Sequence, residues 1–323
     1  MKIKLNRMLG LAILAFAAFV TTPTIAADYP IKPVRVVVPF PAGGSTDLIS
    51  RLLAQQLEPE LKQTVLVENR PGAGGLIGVA AVVKADADGH TLLITGGSAI
   101  GPTFIKGSSV EMYRDLAPIS AIYEGPFVLF VQRSVPANTV AELVAYARAN
   151  PGKLNYGTTA ANEKMLMEMF KRAGGLDIVE IPYKGGAPRI TAMLANEVQL
   201  AIGGTQIMKQ QGVDAKIKPL MAFGPNRSGS LPEVPTSAEM GFPALSAAST
   251  LGLWAPMNTE RDIITRLNRL VVAILAPAAM KARVRDISGF DAGGSTPDEL
   301  RARSKGERDF YVQAAGVIKL QAE

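Results

Sequence analysis

Residues 34–57 read VRVVVPFPAGGSTDLISRLLAQQL. A near-continuous valine run is the pattern of a strand buried on both faces. Two prolines and two glycines then stop it. Leu48, Leu52, Ile49 and Leu53 place apolar residues at helical spacing directly afterwards. The phrase is strand, glycine-rich turn, amphipathic helix, and it recurs. It returns from Thr64 as TVLVENRPGAGGLIGVAAVVKA, from Leu154 as LNYGTTAANEKMLMEMFKRA and from Ile178 as IVEIPYKGGAPRITAMLAN. Variants are HTLLITGGSAIGPTF from His90 and VQLAIGGTQ from Val198. Such alternation predicts an α/β protein with parallel sheets covered on both faces.

Two apolar stretches stand apart from these units, PFVLFVQ (126–132) and STLGLWAP (249–256). Read as crossing strands, they join two α/β lobes into a clamshell. The expected lobes are 27–127 with 253–323, and 128–252. Helix starts are marked by capping-box spacing at Thr139/Glu142, Thr236/Glu239 and Thr296/Glu299, and Pro277 is expected to end a helix running from about Glu260 to Leu275. Ligands of open α/β sheets sit beyond the carboxyl ends of the strands. Every glycine-rich turn quoted above falls there.

The N-terminal segment has a different composition. MKIKLNR is basic, Met8–Val20 is apolar, and small residues stand at Thr24 and Ala26. This is the pattern of a secretory signal peptide, 1–26, cut after Ala26. The apolar run is well short of the roughly 20 residues that span a bilayer, which argues against a retained anchor. An exported, periplasmic protein is expected. The segment carries Lys2, Lys4 and Arg7 and no acidic residue, so its loss takes the net charge from +6 to +3. No Lys/Arg-rich run remains, and nothing points to a nucleic-acid partner. There is no cysteine, so stability rests on the core and not on disulfides.

Catalytic and metal chemistry find little material. His90 is the single histidine and is expected at a turn entering a strand. One His and no Cys disfavour a zinc site. No G-x-S-x-G elbow exists. PGAGGLIG has Ile77 where G-x-G-x-x-G needs glycine, and PAGGSTD has no P-loop lysine. No cofactor, no metal and no catalytic residue are expected.

Binding chemistry is better supplied. A helix N-terminus exposes unpaired N–H groups and about half a positive charge, and bare glycines let a ligand approach the backbone. In the opening stretch Gly43, Gly44, Ser45 and Thr46 are candidate donors, with Phe40 as a wall. The plain alternative is a tight turn with a Ser/Thr cap. Asp47 would repel an anion, so it is expected to point away and order the loop. Lys184 and Arg70 offer full charges, and Trp254 is expected in the core.

Seven stretches together resemble one family. They are YPIKPVRVVVPFPAGGSTD (29–47), VLVENRPGAGGLIG (65–78), DGHTLLI (88–94), PGKLNYG (151–157), IPYKGGAP (181–188), LPEVPTSAEMGFP (231–243) and STPDEL (295–300). The chain resembles the Bug-type periplasmic solute receptors of tripartite tricarboxylate transporters. The resemblance implies a two-lobed, type-II-like periplasmic binding fold joined by two hinge strands. It implies capture of a small carboxylate (mono-, di- or tricarboxylate, aromatic ones included) and delivery to a membrane permease by a monomeric receptor. A receptor or sensor of another system, or an exported hydrolase, are the alternatives. By motif, the ligand contacts fall on Phe40, Gly43, Gly44, Ser45 and Thr46 in one lobe and Thr158 and Thr159 in the other, with Gly96, Gly97 and Ser98 as a third element. Two departures stand out. The turn after LNYG is short and lacks a histidine. Gly203 and Gly204 replace an Asp-Asn pair common in the family, which argues against an amino-acid ligand and places Gly203 at the site.

Overall fold

The computed structural model describes residues 29–96, 110–209 and 213–318. The expected signal segment lies outside these residues, as do Gly97 and Ser98. The opening stretch forms β1 (Val34–Val38) and α1 (Ser45–Leu61). β1 runs parallel between β2 (Val65–Asn69) and β3 (Thr91–Gly96). α1 buries Ile49, Leu52, Leu53, Leu57 and Leu61 on one stripe. Leu48, assigned to that stripe from spacing, faces solvent at 46% exposure. Each fully buried aliphatic side chain here contributes about 1.5–3 kcal/mol.

α2 (Leu76–Val83) covers the opposite face of this sheet with Val79 and Val82. The short α3 (Met112–Asp115) leads into β4 (Leu116–Gln132), a strand of 17 residues. Four helices and four strands follow: α4 (Val140–Ala149), β5 (Leu154–Thr158), α5 (Ala161–Gly174), β6 (Ile178–Pro182), α6 (Gly186–Leu194), β7 (Leu200–Gly203), α7 (Val213–Lys216) and β8 (Ile217–Phe223). The chain then returns through β9 (Ala248–Pro256), α8 (Arg261–Leu275), α9 (Ala278–Ser288), β10 (Asp291–Ala292) and α10 (Pro297–Ile318).

The ten strands make one sheet in the order β2-β1-β3-β9-β4-β7-β5-β6, with β8 and β10 also on β4. β4 changes partners midway. Leu116–Pro126 pairs with β9, and Phe127–Gln132 pairs with β7 and β8. Two parallel sets, β2-β1-β3 and β7-β5-β6, thus hang on the two halves of one strand. This is the two-lobed architecture expected from the sequence. β9 pairs along its whole length with the first half of β4, and through Leu251–Trp254 with β3. At the change of partners the Phe290 ring stacks on Tyr123 at 5.0 Å and meets Phe127 edge-on at 5.6 Å. Gly125 is bare because a Cβ there would come within 2.9 Å of that ring.

Several local expectations are met. Thr139 caps α4 and Thr296 caps α10. α8 ends two residues before Pro277. Trp254 is buried at 1% exposure. His90 precedes β3 and accepts a bond from the Ile31 amide at 3.2 Å. The Thr236/Glu239 box closes reciprocally at 2.6 and 3.2 Å, yet it starts a single turn and no helix. Gly241, with φ +85, ends that turn at once. Among the described residues no single helix is long and apolar enough to cross a membrane.

α10 buries the stripe Leu300, Ser304, Glu307, Tyr311 and Ala314 against β4, β9 and α5. Glu307 is therefore a carboxyl inside a packed seam, and neither oxygen makes a hydrogen bond at normal geometry. Burial pushes its pKa well above the ordinary value; Glu124 adds repulsion, and the nearby Thr250 amide opposes only in part. The unfolded carboxyl ionises near pH 4.3, roughly, while the folded one holds its proton. Stability should therefore fall as pH rises above that value toward the raised folded pKa. Glu307→Gln is expected to melt higher than the wild type near pH 8, roughly, with the advantage vanishing at about pH 4. Equal melting curves at both pH values would show that the carboxyl is solvated.

Candidate functional site

The strand register sets where ligand chemistry can gather. Gly96, the last residue of β3, pairs with Leu251, and Leu251 pairs with Tyr123 of β4. Gly203, the last residue of β7, pairs with Val128. The carboxyl ends of the two parallel sets are thus five residues apart along one strand, about 17 Å. The glycine-rich turns of both lobes flank this gap.

The first jaw is the turn from Phe40 to Thr46. Phe40 is half-buried against the core beneath α2. Gly43 has φ +83, a left-handed conformation that favours glycine. Gly44 caps α1 with ordinary φ −74, and a Cβ there would meet only the Pro41 carbonyl at 3.6 Å. The amides of Gly44, Ser45 and Thr46 have no acceptor among the described residues. These three are among the candidate donors named from the sequence. Asp47 orders the loop, also as expected. Its carboxylate accepts from the Gly43 amide at 2.9 Å, Arg51 Nε at 3.1 Å and Asn69 Nδ2 at 3.0 Å. Asn69 also donates to the Phe40 carbonyl at 3.1 Å. Burial opposes ionisation of Asp47, but the bonds from Arg51, Gly43 and Asn69 outweigh it, and its pKa lies below the usual value.

Gly96 has a different reason to be bare. Its Cβ would collide with the Thr250 carbonyl of β9, so the residue serves the close approach of two strands. Arg70 is bound to Glu68 at 2.6 Å.

The second jaw is built from charge. Thr158 is buried and donates its hydroxyl to Glu180 at 2.8 Å. Thr159 gives its amide (2.7 Å) and hydroxyl (2.9 Å) to Glu163. Neither threonine holds a spare hydroxyl hydrogen. Lys184 is exposed at the start of the KGGAP turn. Gly203 faces Arg189, whose Nη2 would lie 3.1 Å from a Cβ there. Arg189 pairs with Glu163 at 2.7 Å, and both side chains are buried. Sequence reading passed over this pair. One cue was available: Arg189 lies four residues before Met193, on the buried face of α6.

A cavity of about 290 Å³ lies at the crossing, lined by Glu124–Pro126, Pro225–Arg227, Ala248, Asp291, Gly293, Gly294 and Arg303. It contains none of the residues expected at the site. Its charges are satisfied locally, Arg303 by Glu124 at 2.9 Å and Asp291 by Arg285 at 2.6 Å. Among the described residues no cluster of three or more His, Cys, Asp or Glu could hold a metal ion.

Asp47→Asn removes the charge that three donors share. It is expected to cost about 1–3 kcal/mol at neutral pH in urea denaturation. Because the folded pKa of Asp47 is depressed, its contribution is present above the unfolded value and lost as pH falls through the folded one. The gap between the two proteins should therefore close on acidification, and a gap unchanged in acid would assign the loss to packing.

Comparison with known proteins agrees with this architecture. The model of the tripartite tricarboxylate transporter family receptor matches residues 49–291. Protein BugT of Bordetella pertussis is 33% identical over 299 residues, 91% of this chain and 90% of its own length. Among solved structures, R. palustris Rpa4515 with adipate is 32% identical with TM-score 0.79, covering 90% of this chain and 98% of that one. The periplasmic binding protein BugD is 29% identical with TM-score 0.76, covering 91% and 100%. The chain belongs to the tripartite tricarboxylate transporter receptor family, in its Bug-type branch.

Proposed function

We propose that this protein is an extracytoplasmic receptor that captures a small carboxylate between its two jaws and hands it to a membrane permease. The observation that carries the reading is the row of unpartnered amides at Gly44, Ser45 and Thr46, held open by Asp47 at the N-terminus of α1. Backbone N–H groups and the helix dipole suit an anion and need no catalytic side chain. A relative of similar fold holds adipate. The signal-peptide pattern of residues 1–26 and periplasmic neighbours support action outside the cytoplasm; in this reading the receptor is a monomer and releases its ligand unchanged. In this reading the moving bodies are 27–127 with 253–323, and 128–252. The pairing of β9 favours a second boundary nearer residue 247.

A thermal-shift screen of mono-, di- and tricarboxylates and aromatic acids tests the reading. Ligand that binds only the folded state at a hundredfold excess over Kd stabilises by about 2.7 kcal/mol, a shift of several degrees. A wide library that leaves a folded protein unshifted would sink the proposal. Recovery of the bound compound chemically altered would instead favour an enzyme.

Gly44→Val tests the first jaw alone. The backbone conformation and the open space at residue 44 accept a side chain, so the variant is expected to fold. Its bulk covers the amides, and affinity should drop at least about tenfold with the loss of one or more charge-assisted bonds. Unchanged affinity in titration calorimetry would remove this turn from the site.

A further inference from the structure

The second jaw contains a guanidinium with one edge used and one edge free. Arg189 is 3% exposed. Its stem crosses Gly157, where a Cβ would come within 2.8 Å of Cγ, and its head ends beside Gly203. Nη1 donates to Glu163 Oε2 at 2.7 Å and to the Ile202 carbonyl at 2.9 Å. Those two bonds account for both Nη1 hydrogens. Nε is buried with no acceptor, and Nη2 has none among the described residues. Nε and Nη2 form the side-on edge of the fork, whose two parallel N–H groups match a carboxylate. A buried edge of that kind is costly to leave unmet. Two bare residues, Gly157 and Gly203, are what let the head reach the carboxyl ends of β5 and β7. Glu163 fixes its orientation. Ile207 Cδ1 is the other near neighbour of Gly203, 2.7 Å from where a Cβ there would stand.

We propose that the Nε/Nη2 edge of Arg189 receives one carboxylate of the ligand and makes this receptor selective for dicarboxylates. The other carboxylate takes the amides of Gly44, Ser45 and Thr46. This deepens the receptor reading and rests on it. Where an acidic side chain in that place would suit an ammonium group, Arg189 suits an anion.

The test is titration calorimetry on the full mature chain. The probes are straight-chain dicarboxylates from succinate to adipate, each paired with the monocarboxylate of equal carbon count. Wild type is expected to prefer the best dicarboxylate over its mono-acid by about ten- to a hundredfold, the worth of one charged bidentate contact. Arg189→Gln should erase that preference by weakening dicarboxylate binding alone. Because Gln at 189 leaves Glu163 buried without its partner, the double variant Arg189→Gln with Glu163→Gln is run beside it, with melting curves to confirm folding. Loss of preference in the folded double variant supports the proposal. A wild type that binds both members of a pair equally, a variant that keeps the preference, or an equal loss for both members overturns it while leaving the receptor reading intact. A wild type that binds none of these probes overturns the role of Arg189, while the receptor reading stands or falls with the wider thermal-shift screen.

Discussion

Everything in this molecule depends on a single strand being shared. β4 has 17 residues, and its first and second halves pair with different sets of strands. Both parallel sets must therefore end at heights fixed by its register. The point of exchange admits little variation, because Phe290 fills the space beside Tyr123 and Phe127 and leaves no room for a side chain at residue 125. With that junction set, the turns that follow β1, β5 and β7 have no choice but to flank one gap.

The two sides of the gap use different physics. The first jaw presents backbone: its donors are peptide amides, and a buried carboxylate behind them holds the loop in shape. The second jaw presents side chains. Its threonines are committed to glutamates, and a buried arginine lies between two glycines. Backbone donors bind anions broadly, because every chain has them. A fixed fork selects by geometry, since it demands two oxygens in one plane.

Much of the fold was legible in the primary structure because the cues were local. Valine runs, capping boxes and glycine turns act over a few residues, and β1, α1, α4 and α10 start where those cues stand. The role of Asp47 was legible for the same reason: its partner amide at Gly43 is four residues away. What stayed hidden depends on distant chain. Thr158 and Thr159 look like free hydroxyls until Glu180 and Glu163 are folded beside them. Gly96 looks like a binding glycine, and only the arrival of β9 gives it a packing reason. Arg189 draws no notice in the sequence, because its place is set only when the bare backbones of Gly157 and Gly203 are brought beside it. Thr236 misled in the other direction, because a correct cap does not extend a helix that Gly241 stops.

The position of β9 has a consequence in time. It lies between β3 and β4, although more than a hundred residues separate it from either along the chain. The first sheet cannot close around the growing polypeptide; its β3 edge stays unpaired until residues 248–256 arrive. Such non-local pairing raises contact order and slows folding. A chain whose first sheet stays open until its last third is present folds late, which would suit the passage across a membrane that the proposed receptor role requires.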